Sequence, residues 1–148
     1  MDYTMKQYEE SAQFIRSRLG DFVPRAAMVL GSGLGYLAEE VENPIAIGYQ
    51  DIPHFKASTA PGHKGRLVFG ILEGQRVAVM QGRMHHYEGY SYEEVSYAVR
   101  VLRLLGCDTL IVTNAAGCVN TQWRAGDLML ITDQIKLFSE SPLRGENL

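Results

Sequence analysis

The chain has 148 residues, 46% hydrophobic and 21% charged, with a formal net charge of −3. This length and balance describe one ordinary globular domain and exclude a disordered or low-complexity chain. The slight negative charge offers no electrostatic basis for binding nucleic acid or a membrane surface, so any positive site has to be local. No apolar run approaches the roughly 20 residues that cross a bilayer. Asp2, Glu9 and Glu10 stand where a secretory leader would be basic and then apolar. The two cysteines, Cys107 and Cys118, lack histidine partners at metal-binding spacing and read as reduced thiols. The expectation is a cytoplasmic protein that holds no metal.

In chain order, residues 3–19 place Tyr8, Ala12, Ile15 and Leu19 at three- and four-residue steps before Gly20, the pattern of an amphipathic helix. Residues 25–30 form a short buried strand that runs into Gly31-Ser32-Gly33-Leu34-Gly35, and a short helix is expected over 34–41. Residues 67–72 and 76–80 flank Glu73-Gly74-Gln75 as a hairpin. Residues 91–105 give the clearest helix: Ser91 and Glu94 have capping-box spacing, Val95, Ala98, Val99, Leu102 and Leu105 make one apolar stripe, and Gly106 stops it. Residues 109–113 read as a buried strand and 127–135 as another. The order implies an α/β fold, a mixed central sheet flanked by helices and covered on both faces. The closing stretch, 141–148, is loop-like with no final helix or strand, so the chain reads as cut rather than ended.

Three strand ends carry the chemistry, which is where open α/β sheets place ligands. The loop from Gly31 to Gly35 lacks the third glycine of a dinucleotide fingerprint, since Tyr36 holds that position, and it has no P-loop Lys-Ser/Thr pair. What remains is a glycine turn offering the Ser32 hydroxyl and backbone N–H groups at a strand–helix junction whose dipole favours anions. In Gly82-Arg83-Met84-His85-His86-Tyr87-Glu88-Gly89, alternation puts Arg83, His85 and Tyr87 on one face of an extended segment, with His86 pointing away as a structural residue. The Arg fork matches two phosphate oxygens, and His can donate a hydrogen bond while neutral. His63 sits in a turn-rich loop, with Lys64 and Arg66 beside it read as solvated cations. Asn114-Ala115-Ala116-Gly117 allows close backbone approach and adds one side-chain amide; helix-start packing and an anion cradle are both open for it. Together these features describe an oxyanion site suited to phosphate.

The ordered set Val29-Leu30-Gly31-Ser32-Gly33-Leu34-Gly35, Ile52-Pro53-His54-Phe55, Pro61-Gly62-His63, the Arg83/His85 motif, Thr113-Asn114-Ala115-Ala116-Gly117, Gly126-Asp127-Leu128-Met129-Leu130-Ile131 and Pro142-Leu143-Arg144-Gly145 resembles the trimeric, low-molecular-mass purine nucleoside phosphorylases. The resemblance implies reversible phosphorolysis of a purine nucleoside to free base and ribose or deoxyribose 1-phosphate. It implies a phosphate held by Ser32, His63, Arg83, His85 and the backbone of Ala115, with His85 as the catalytic group. It also implies a nucleoside site at Tyr87, Asn114, Ala115, Ala116 and Gly117, with Tyr87 on the ribose. No metal or organic cofactor is implied, inorganic phosphate being a substrate, and the partners implied are the nucleoside, phosphate and further copies in a homotrimer.

The resemblance covers the N-terminal half of the family's domain. The remaining half there supplies the residues that recognise the purine, further strands of the sheet and much of the trimer contact. Residues 1–148 are therefore expected to be the N-terminal portion of a single domain, carrying mainly the phosphate site. Two departures stand out: Cys118-Val119-Asn120 replaces the usual Gly-Leu-Asn, and Asp133-Gln134-Ile135-Lys136 replaces the usual Asp-His-Ile-Asn. The rival readings are a methylthioadenosine phosphorylase and a non-catalytic phosphate-binding or oligomerisation module.

Overall fold

A computed structural model describes residues 3–56 and 64–145. The elements follow as helix α1 (Met5–Leu19), strand β1 (Ala26–Val29), a 3-10 turn (Gly35–Ala38), β2 (Glu42–Gly48), a second 3-10 turn (Tyr49–Asp51), β3 (Arg66–Leu72), β4 (Gln75–Gln81), a third 3-10 turn (His86–Glu88), helix α2 (Tyr92–Leu104) and β5 (Thr109–Val112). They build an α/β fold on one mixed sheet of order β2-β3-β4-β1-β5. Strand β1 pairs in parallel with β4 and β5, whereas β2–β3 and β3–β4 are antiparallel.

Local signals set most of these boundaries. Ser91 caps α2, its side chain accepting from the Glu94 backbone while the Glu94 carboxylate accepts from the Ser91 backbone N–H. Thr4 and Gln7 make the same reciprocal cap at the start of α1. The β3–β4 hairpin turns on Glu73 and Gly74, both at positive φ (48° and 71°), and pairs Leu72 with Gln75. Such a mirror-image turn matches the twist of the flanking strands. Gln75 thus belongs to the strand and not to the turn.

Strand β2 has no counterpart in the sequence reading. Its register slips between Glu42 and Ile45, around Asn43 and Pro44. A proline cannot donate to a ladder, and the bulge at an edge strand removes that demand. Gly70 on β3 makes room for it: a Cβ there would lie 2.4 Å from the Glu42 carbonyl oxygen.

Period-two alternation divides the sheet into two cores. On one face Ala27, Val29, Leu67, Phe69, Ala78 and Met80 join Ile15 and Leu19 of α1 and Val101 and Leu102 of α2. On the other, Val68, Val77 and Val79 meet Leu30, Ala38 and Val41. Both helices bury their apolar residues on the same face, and among the described residues the loop after β1 covers the opposite one. The sheet is therefore covered on both faces, as expected, with the two helices on one of them. Between the helices, the Tyr97 hydroxyl donates to the Gln7 carbonyl at 2.8 Å, and the buried Ser11 hydroxyl donates to the Pro53 carbonyl at 2.6 Å.

Two further expectations are corrected. Strand β5 forms, but it is not buried: Leu110, Ile111 and Val112 are exposed. It is the last strand of the sheet, and no second layer of described residues covers it. Residues 127–135 form no strand; Leu128, Leu130 and Ile131 are exposed. Alternating apolar residues make a strand only when a neighbour accepts the ladder hydrogen bonds. No described residues supply that neighbour here.

Candidate functional site

The parallel pairing of β4, β1 and β5 brings three chain segments to the same end of the sheet. Thr113 ties them together. Its hydroxyl accepts from the Gly31 backbone N–H at 2.7 Å and donates to the Val29 carbonyl at 3.0 Å, and its carbonyl accepts from Arg83 Nη1 at 2.6 Å. The approach is so close that a Cβ on Gly31 would lie 2.7 Å from the Thr113 carbonyl oxygen. Only glycine fits at that position. The glycine loop, the Arg83 segment and the start of Asn114–Gly117, recognised separately in the sequence, therefore meet at one residue.

The glycine loop continues through the turn Leu34 N–H to Gly31 carbonyl and leaves Ser32 exposed. The expected helix over 34–41 is a single 3-10 turn at Gly35–Ala38. A turn so short provides little helix dipole, so an anion here would depend on backbone N–H groups and side-chain cations. A cleft of about 500 Å³ opens beside the loop, lined by Gly31, Ser32, Gly33, Glu39, Lys64 and Gln81 among others.

Arg83 is half-buried, and the buried Met84 beside it anchors the extended segment. His85 stacks on Tyr87 at 4.7 Å between ring centroids, nearly parallel. Its Nδ1 lies 2.8 Å from Glu88 Oε1, which also accepts the His85 backbone N–H at 2.8 Å. These two contacts fix the orientation of the imidazole ring. Tyr87 is largely exposed. His86 stacks on Tyr92 and donates from Nδ1 to the Tyr90 carbonyl at 2.6 Å, and it opens the 3-10 turn His86–Glu88, which interrupts the extended alternation expected through Tyr87.

Asn114, Ala115, Ala116 and Gly117 are exposed, and the Asn114 amide donates to the Ala115 carbonyl at 3.3 Å. Cys118 is likewise exposed, whereas burial pushes the Cys107 thiol up to about 11; both thiols are free. His63 lies outside the described residues.

Sequence reasoning treated Lys64 and Arg66 as solvated and passed over Glu39 and Gln81. The structure joins all four. Glu39 Oε1 accepts from Lys64 Nζ at 2.5 Å, Arg66 Nη2 at 2.9 Å and Gln81 Nε2 at 2.9 Å. Gln81 Nε2 also donates to the Gly35 carbonyl at 2.8 Å, and its Oε1 accepts from Arg66 Nε at 2.6 Å. The hydrogen bond from Lys64, followed by that from Gln81, holds the Glu39 carboxyl down at about 2. The signal available in the sequence was Gln81 itself, a polar residue closing the apolar run Val77-Ala78-Val79-Met80.

Residues 25–148 match the family model described as the phosphorylase superfamily. Over 139 residues the chain is 55% identical to purine nucleoside phosphorylase 1 of Bacillus subtilis, covering 94% of this chain and 51% of that protein. It is 48% identical over 149 residues to the purine nucleoside phosphorylase of Rattus norvegicus, covering 99% of this chain and 51% of that one. Its fold superposes on isoform 2 of the Schistosoma mansoni purine nucleoside phosphorylase, solved with cytosine and ribose-1-phosphate, with a TM-score of 0.76 at 40% identity. That match covers 84% of this chain and 43% of the other. The chain spans about half the length of these relatives.

Proposed function

Because the chain belongs to the phosphorylase superfamily, we propose that it forms the phosphate-holding portion of a purine nucleoside phosphorylase, which converts a purine nucleoside and inorganic phosphate to free base and ribose or deoxyribose 1-phosphate. The observation that carries this reading is the convergence on Thr113 of the glycine loop and Arg83, beside an open cleft.

Phosphate enters that cleft and takes hydrogen bonds from the Ser32 hydroxyl and the loop N–H groups. Arg83 supplies charge, and its bond to the Thr113 carbonyl fixes where the guanidinium points. His85 is the catalytic histidine of the set, its ring oriented by Glu88 at Nδ1; His63 and the Ala115 backbone complete the phosphate contacts. Tyr87 stacks on His85 and contacts the ribose, while Asn114, Ala115, Ala116 and Gly117 line the nucleoside side.

In the reaction a phosphate oxygen forms a bond to the anomeric carbon as the bond from that carbon to the purine nitrogen breaks. The bonding pair leaves with the base, which ends up with the proton that hydrogen phosphate gives up as it becomes the sugar ester. Positive charge builds on the ribose in passing, and an anion fixed below it stabilises that charge. A positioned nucleophile also avoids the entropy of a bimolecular encounter. Donors fixed in advance replace phosphate's hydration without reorganising during the reaction. No metal or organic cofactor has a role in these steps.

Two free thiols suit a reducing compartment and support a cytoplasmic location. The apolar surface of β5 suits burial against further protein, as in a homotrimer. The test is phosphate-dependent release of hypoxanthine from inosine. Arg83→Ala is expected to raise the KM for phosphate by about 10-fold or more while changing nucleoside binding little. Unchanged phosphate kinetics would remove Arg83 from the site.

A further inference from the structure

Glu39 is an unexpected residue to find on the rim of an anion cleft, because its charge repels the ligand. Its Oε1 is the meeting point of three donors: Lys64 Nζ, Arg66 Nη2 and Gln81 Nε2. Glu39, Lys64 and Gln81 all line the cleft beside Ser32 and Gly33. Gln81, almost fully buried, also holds the Gly35 carbonyl, so the carboxylate and the glycine loop share one support. Stability does not explain the arrangement, since the Glu39 and Lys64 side chains are 49% and 57% exposed. Ion pairs that open to water contribute little to folding. The carboxyl, held down at about 2 by the Lys64 and Gln81 hydrogen bonds, is ionised near neutral pH.

We propose that Glu39 is a positioning residue that limits how tightly phosphate is held, by keeping the Lys64 ammonium on itself and setting a negative charge at the cleft mouth. The inference rests on the phosphate reading above. A phosphate anion in the cleft feels the field of Lys64 and Arg66 but does not gain the committed ammonium as a contact. This suits a nucleophile. Interactions that stabilise bound phosphate more than the transition state lower its reactivity, so extra affinity would reduce turnover.

Glu39→Gln tests this directly, because the amide keeps the shape and accepting oxygen and removes the charge. Inorganic phosphate binding is measured by calorimetry, and kcat and KM are measured for phosphorolysis of inosine. The expected result is a ~3–10-fold fall in Kd and KM for phosphate, with kcat not rising and the KM for nucleoside unchanged. In a Lys64→Met background the part of the gain that comes from releasing the ammonium should vanish, leaving a smaller gain from the removed charge. Unchanged or weaker phosphate binding by Glu39→Gln would overturn the inference, since loss of a merely structural contact predicts one or the other. Should that variant fail to fold, Lys64→Met alone decides: weaker phosphate binding is expected, and unchanged binding would overturn the proposal. Arg83→Ala separates the two levels. If it loses phosphate while Glu39→Gln binds as before, only the Glu39 role fails. If the protein binds no phosphate, or Arg83→Ala binds it normally, the phosphate reading fails and this inference with it.

Discussion

Strand β4 and residues 127–135 carry comparable apolar patterns, Val77-Ala78-Val79-Met80 in one and Leu128-Met129-Leu130-Ile131 in the other, yet they end in opposite states. Val79 is completely buried, between β3 and β1 in the sheet, while Leu128 is 94% exposed and belongs to no ladder. The side chains do not account for the contrast. What β4 has is a strand on each side to take its N–H and C=O groups, and a layer on each face to take its side chains. The comparison teaches that an apolar run is an offer of structure which a neighbour must accept.

The largest expected effect that sharpens this contrast is on stability. Phe69→Ala removes a fully buried ring from β3 and is expected to cost about 3–5 kcal/mol in urea denaturation. Leu130→Ala, on an exposed side chain, should stay within about 0.5 kcal/mol. Equal costs would mean that residues 127–135 are packed in solution. A smaller contrast falls on two glycines. Gly31→Ala would force a Cβ against the Thr113 carbonyl and is expected to cost about 1–3 kcal/mol, with phosphate affinity lost as well. Gly117→Ala meets open space and should change stability by no more than a few tenths of a kcal/mol. A harmless Gly31→Ala would show that the Thr113 junction does not form.

The smallest effect is acid-dependent. The Glu39 carboxyl is depressed from 4.5 to about 2, so its stabilising contribution is fully present above pH 4.5 and is lost as pH falls toward 2. Urea midpoints across that window should fall less steeply for Glu39→Gln than for the parent chain. Identical slopes would mean that the Lys64–Glu39–Arg66 contacts do not persist in solution.

What was legible in the sequence follows the same physics. Helix α2 could be bounded from Ser91, Glu94 and Gly106, and the hairpin from the glycine between two apolar runs, because those signals act over a few residues. Strand β2 was not legible: Pro44 argues against a strand, and only the bulge opposite Gly70 makes it acceptable. The strand expected over 127–135 failed for the converse reason, a good pattern without a partner. At the site, the glycine loop and Arg83 could be singled out from motif and charge. Thr113 as their junction could not, because its three hydrogen bonds depend on the parallel alignment of β1, β4 and β5. Lys64 and Arg66 read as solvated cations, since a distant carboxylate that claims them leaves no mark on the local sequence.

The central claim is that phosphate binds where the ordered sheet meets the segment that follows β5. Amide hydrogen exchange with and without inorganic phosphate tests it most directly. The account predicts that phosphate slows exchange at residues 31–35 and 113–115 while residues 120–138 continue to exchange rapidly. Exchange unchanged by phosphate at both 31–35 and 113–115 would contradict it.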